Sequence, residues 1–205
     1  MVIRFVISLA LMAFALPAMA AEVILSRESR GVAIYIKMPF EDVPVLFGQP
    51  VEGLLNYDGA TSFADLSRGT FDQAEALAQD VKFTINGQDA PFAAMSMMIH
   101  PEDNPVPFHD PLDALMAISV CGVPLPETPP ANEDLVWIGG WYAPGTTDVT
   151  ELTITFPDTG RDAMGVSLAS FLARSGSARS TLSVEDGGTI RVEVPQGFAR
   201  VLFGN

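Results

Sequence analysis

Apolar and polar residues alternate with a period of two over several short stretches of the chain. Turn chemistry joins the stretches, which is how half-buried antiparallel hairpins are written in sequence. Val23 and Leu25 alternate ahead of a turn at Glu28-Ser29-Arg30-Gly31, and Val32, Ile34 and Ile36 alternate after it. Asn86-Gly87, a dipeptide suited to positive φ at a turn, separates Val81, Phe83 and Ile85 from a strand expected over 92–99. Leu152, Ile154 and Phe156 precede Pro157-Asp158-Thr159-Gly160, with a strand expected over 163–168. Leu182 and Val184 lead into Asp186-Gly187-Gly188, and Ile190, Val192 and Val194 lead out. An isolated hairpin is barely stable in water, so the four pairs must stack face to face. The expected fold is all-β, a mainly antiparallel β-sandwich.

One helix interrupts this pattern. Thr70 with Gln73 forms a capping box ahead of Phe71, Ala74, Ala76, Leu77 and Ala78, which predicts a short helix over 70–79. Half of the chain's 16 prolines lie between Pro101 and Pro130. They remove backbone donors, so this stretch is expected to be a long Pro-rich connection in which only 115–121 could form a strand. A single domain over 21–205 is expected at this length, with two small β lobes, 21–100 and 131–205, as the alternative.

The first 20 residues break the alternation altogether. Arg4, an apolar run from Phe5 to Leu16 and the small residues Ala18 and Ala20 read as a signal peptide cleaved before Ala21. The run is too short to span a bilayer. No later segment is long and apolar enough to do so, and the expected location is the periplasm or the medium. Lys+Arg 11 against Asp+Glu 25 leaves a net charge of −14, and loss of Arg4 with the leader makes the mature chain more acidic. Such a charge repels phosphate backbones and anionic surfaces, which argues against nucleic acid as a partner and favours cationic or apolar ligands. With Cys121 as the one cysteine, no intrachain disulfide exists, and burial is the expected fate of that thiol.

The chemistry on offer is sparse. Dinucleotide, P-loop and zincin motifs are absent, and Gly165-Val166-Ser167-Leu168-Ala169 lacks the last glycine of a nucleophile elbow. His100 and His109 stand among Glu102, Asp103, Asp110 and Asp113, a set from which a general base and its orienting carboxylate could be drawn. Met95, Met97, Met98, His100 and His109, with Cys121 further on, are soft-metal donors. Extended backbone over 92–100 puts Met95 and Met97 on one apolar face and leaves Met98 and His100 together on the other. Trp137, Trp141 and Tyr142 surround Gly139-Gly140, where a bulge could turn a ring outward as a stacking platform for a ligand; shared core packing is the competing expectation for the two tryptophans.

The sequence names no cofactor. It favours an exported, non-catalytic module binding a protein or small molecule, with Trp137, Trp141, Tyr142 and His109 as ligand-contacting residues and the 101–131 segment as the docking region. A periplasmic copper-binding protein using Met98 and His100, and a hydrolase using the His100/His109 acidic loop, are the alternatives.

Overall fold

A computed structural model describes residues 21–48, 71–119, 134–145, 149–157, 182–185, 189–193 and 198–202 of the 205-residue chain. Its strands form two five-stranded antiparallel sheets. The first runs in the order β10 (Phe198–Leu202), β1 (Glu22–Glu28), β2 (Gly31–Pro39), β6 (Leu135–Pro144) and β5 (Ala93–Pro101). The second runs β4 (Gln88–Asp89), β3 (Lys82–Ile85), β7 (Glu151–Thr155), β9 (Thr189–Glu193) and β8 (Leu182–Glu185). Each sheet draws strands from both halves of the chain, so neither belongs to one half. Leu25, Ile34 and Ile36 from the first sheet share one buried core with Phe83, Leu152 and Ile154 from the second, as alternation of apolar residues requires.

Local turn chemistry behaves as the sequence reads at two turns, and a third expected pair of strands is present. Glu28 pairs with Gly31 across a two-residue turn, so β1 and β2 form a tight hairpin. Asn86 and Gly87 both take positive φ, 52° and 77°, and carry β3 into β4. The Asn86 side chain also accepts hydrogen bonds from the Thr150 amide and hydroxyl and from the Glu151 amide, at 2.9, 2.9 and 3.0 Å, which pins the turn to the start of β7. Strands β8 and β9 pair antiparallel from Leu182↔Val192 to Glu185↔Thr189. The region expected as a strand over 163–168 lies outside the described residues, as do the leader expected over 1–20, Thr70 and Cys121.

Three expectations are corrected. The strand expected over 92–99 is present as β5, but it does not return to β3: the two-residue β4 follows the Asn86-Gly87 turn, and after Pro91 the chain crosses to the other sheet, where β5 pairs with β6. The helix expected over 70–79 is present as α2 (Phe71–Leu77), continued by a 3-10 turn over Ala78–Asp80. It is not alone, however: α1 (Val43–Phe47) precedes it, and α3 (Pro111–Ala117) occupies the Pro-rich connection, in which a strand over 115–121 was the only regular element the sequence allowed. The third concerns the bulge. No register shift occurs at Gly139-Gly140; the extra residue sits in the partner strand, where Ala94 pairs with Trp141, Ser96 with Gly140, and Met95 is left over.

Candidate functional site

The first sheet is covered on both faces. Its outer face presents Ala33, Tyr35 and Lys37 from β2, Val136, Ile138 and Gly140 from β6, and Met98 and His100 from β5, as the pairing Lys37↔Ile138↔Met98 requires. Phe108 from the loop before α3, Ala114 and Ala117 from α3, and Ile118 just past its end close over this face and complete a second apolar cluster. Gly140 permits the approach, because a Cβ there would stand 2.6 Å from Ile118 Cδ1. The Lys37 ammonium lies 5.8 Å from the Phe108 ring centroid, a cation–π contact worth about 0.5–1 kcal/mol.

Helix α3 starts where it does because of an Asp-Pro pair. The Asp110 carboxylate accepts from the Leu112 and Asp113 amides, both at 2.9 Å, while Pro111 occupies a first-turn position at which no donor is needed. Proline therefore begins this helix rather than forbidding it. Small side chains face the sheet, Ala114 at 0% and Ala117 at 4% exposure. Large ones face water: Leu112 is 67% exposed, Leu115 43% and Met116 57%. Their i, i+3, i+4 spacing sets all three along one stripe. A surface helix ordinarily points its apolar stripe at the core, so the apolar size distribution of α3 is reversed. Glu102 and Asp103, both exposed, and Asp110 and Asp113 lie in the same segment.

His100 fastens the far end of α3 to the sheet. Its Nε2 and the Ala117 carbonyl oxygen are 2.7 Å apart. A carbonyl only accepts, so Nε2 carries the proton and Nδ1 keeps its lone pair. Nδ1 is buried with no hydrogen-bond partner, and the residue is 2% exposed. Burial pushes the imidazole pKa below its ordinary value; the Ala117 bond opposes that shift and the Lys37 charge reinforces it. The ring is thus held neutral beneath the helix.

The bulge at Met95 changes which methionines share the face of the sheet that carries His100. Met97 and Ile99 belong to the inter-sheet core, where Trp137 Nε1 donates to Met97 Sδ at 3.4 Å. Met95 packs instead against the outer cluster, on the His100 side, because the inserted residue breaks the period of two. Met98 is buried at 4% exposure.

The other singled-out residues are dispersed. Trp137 and Trp141 are both at 0% exposure in the inter-sheet core, with ring centroids 5.8 Å apart and Phe47 at 5.4 and 5.8 Å from them. Neither ring opens a face to solvent. Trp141 Nε1 donates to the Ala74 carbonyl at 3.0 Å and ties α2 to the first sheet. Tyr142 sits on the opposite face, half-buried against the outer cluster, so the three aromatics form no common platform. His109 lies at the N-terminal end of α3, the end away from His100. Its Nδ1 is 3.0 Å from Asp113 Oδ2, and its side chain is 72% exposed. That is an oriented imidazole, but no hydroxyl or thiol among the described residues hydrogen-bonds it.

A cleft of about 880 Å³ opens between α2 and the β3–β4 hairpin, lined among others by Glu75, Lys82, Phe83, Asp89 and Phe92. It contains none of the candidate site residues named from the sequence. Among the described residues no helix is long and apolar enough to cross a membrane, and no group of three or more His, Cys, Asp and Glu is arranged to hold a metal ion. Comparison with protein-family models, curated proteins and solved structures finds no match.

Sequence reasoning missed α3 and its exposed stripe. Asp110-Pro111 was the available signal, an N-cap residue followed by proline at the first helical position.

Proposed function

We propose that the protein is an exported, non-catalytic interaction module that docks a basic protein segment on the outward face of α3. One observation carries the reading: a helix with alanines against its own sheet and Leu112, Leu115 and Met116 toward water. Exposed apolar stripes of this kind mark contact surfaces. The charge around the stripe selects the partner. Asp110 and Asp113 stand at the first turn of the same helix, Glu102 and Asp103 precede it in the chain, and the chain as a whole carries −14. A segment with apolar side chains flanked by Lys or Arg meets both features, while an anionic lipid surface or a nucleic acid meets neither. Export rests on the leader at 1–20, with Ala21 expected as the first residue of the mature chain.

The test uses labelled model peptides and fluorescence anisotropy. A Leu/Lys-repeat peptide should bind and weaken with salt, whereas a Leu/Glu-repeat peptide should not bind. The variant carrying Leu112→Ser, Leu115→Ser and Met116→Ser keeps every charge and should keep its fold. It should nevertheless lose the Leu/Lys peptide. Binding that survives the triple substitution reduces the interaction to bulk charge and overturns the docking reading. Adsorption to anionic vesicles in preference to the peptide overturns the choice of partner.

A further inference from the structure

We infer that His100 Nδ1 and Met98 Sδ form a binding site for a soft monovalent metal ion of the Cu(I) class, on the outer face of the first sheet beneath α3. The site lies on the opposite side of α3 from the docking stripe, and the inference does not depend on that stripe.

The imidazole is presented as metal-binding imidazoles are. One ring nitrogen is bonded to a backbone carbonyl, which fixes the tautomer and the ring plane, and the other offers its lone pair. That lone pair is buried without a hydrogen-bond partner, an unfavourable arrangement unless something fills it. A residue two positions away along a strand stands on the same face, roughly 7 Å distant at the Cα level. Met98 is that residue, and it too is buried. The bulge then brings the Met95 side chain to the same side of the sheet, so a second thioether lies against the same cluster.

The donors decide the ion. Thioether and imidazole are soft to borderline and neutral, which favours Cu(I) over Mg²⁺ and Ca²⁺, whose sites call for oxygen ligands, and over Zn²⁺, which takes three or more His, Cys or carboxylate ligands and no thioether. Lys37 acts in the same direction, because its positive charge opposes a divalent ion twice as strongly as a monovalent one.

The full chain is titrated anaerobically with Cu(I) against a chromophoric Cu(I) chelator, and with Ag(I) as a redox-silent probe for nitrogen NMR. A single equivalent should be withheld from the chelator. Met98→Leu, which preserves volume, should weaken the site by about tenfold or more, on the scale of a lost ligand-shell contact. His100→Gln should abolish it, and His109→Ala and Cys121→Ser should leave it unchanged. On adding Ag(I), the His100 Nδ1 resonance should move while Nε2 keeps its proton. The NMR readout and Met98→Leu decide the matter even if His100→Gln fails to fold. No retained equivalent, undiminished binding in Met98→Leu, a stationary Nδ1 resonance, or loss of binding in Cys121→Ser each overturns the inference.

Discussion

Gly139 and Gly140 are neighbours on β6 with opposite surroundings, so one added methyl group at each probes the two faces of the same sheet. Neither is constrained by positive φ; space is what separates them. A Cβ on Gly139 would stand 2.5 Å from Trp137 Cζ2 and 2.7 Å from Trp141 Cη2. Carbon atoms at optimal contact are about 3.5–4.0 Å apart, so roughly 1 Å must be found on two sides at once. Neither indole can yield it. Both are at 0% exposure, Phe47 packs against both, and the Trp141 N–H is committed to Ala74. Overpacking of this kind costs about 1–3 kcal/mol, and the two-sided clash places Gly139→Ala at the upper end. The alanine also restricts the unfolded chain, which returns about 0.4–1 kcal/mol, so the net loss should be about 2 kcal/mol. At Gly140 the nearest obstacle is Ile118 Cδ1 at 2.6 Å, the tip of a flexible side chain just past the end of α3, with the Tyr35 ring next at 3.2 Å. Rotation of Ile118 relieves most of that contact, and the same unfolded-state gain leaves Gly140→Ala near neutral. Urea denaturation of the two variants and the parent, compared at a common m-value, measures the difference. Equal midpoints, or a lower midpoint for Gly140→Ala, would refute the packing argument for the two tryptophans.

His100 makes stability depend on pH in a definite direction. Its folded pKa is depressed, chiefly by burial, so the unfolded chain takes up the proton first, near 6.5. This contribution is complete above that value. It declines as pH falls through it, by at most about 1.4 kcal/mol per unit, until the folded pKa is passed. His100→Gln should lack this share of the decline when urea midpoints are compared at about pH 7.5 and about pH 5.5. Asp110→Ala removes the cap of α3 and should cost about 1 kcal/mol, with hydrogen exchange at the Leu112 and Asp113 amides accelerating more than in β6. Trp141→Phe leaves the Ala74 carbonyl without its donor in a buried setting and should cost about 1–3 kcal/mol, read as a lower thermal midpoint.

Period-two alternation and turn chemistry are local properties, and they placed β1 with β2, β3 with its Asn86-Gly87 turn, and β8 with β9 from residues near one another in the chain. The short helix after Thr70 was equally legible, because its apolar spacing is written within two turns. Pairing between distant strands was not. Whether the chain after Pro91 returned to β3 or crossed to β6 depended on which sheet could bury Met97 and Ile99 against Trp137, a matter of long-range contacts. The same holds for the methionines: strict alternation assigns Met95 and Met97 to one face, and the bulge that separates them arises from matching β5 to β6 in space. For α3, the Asp110-Pro111 start was present in the sequence, but the exposure of Leu112, Leu115 and Met116 was not. Burial is a relation between a side chain and what packs over it. A stripe of large apolar residues carries no mark of whether a sheet or a partner will cover it, and only the tertiary arrangement, which set the alanines of α3 against the sheet, decided that.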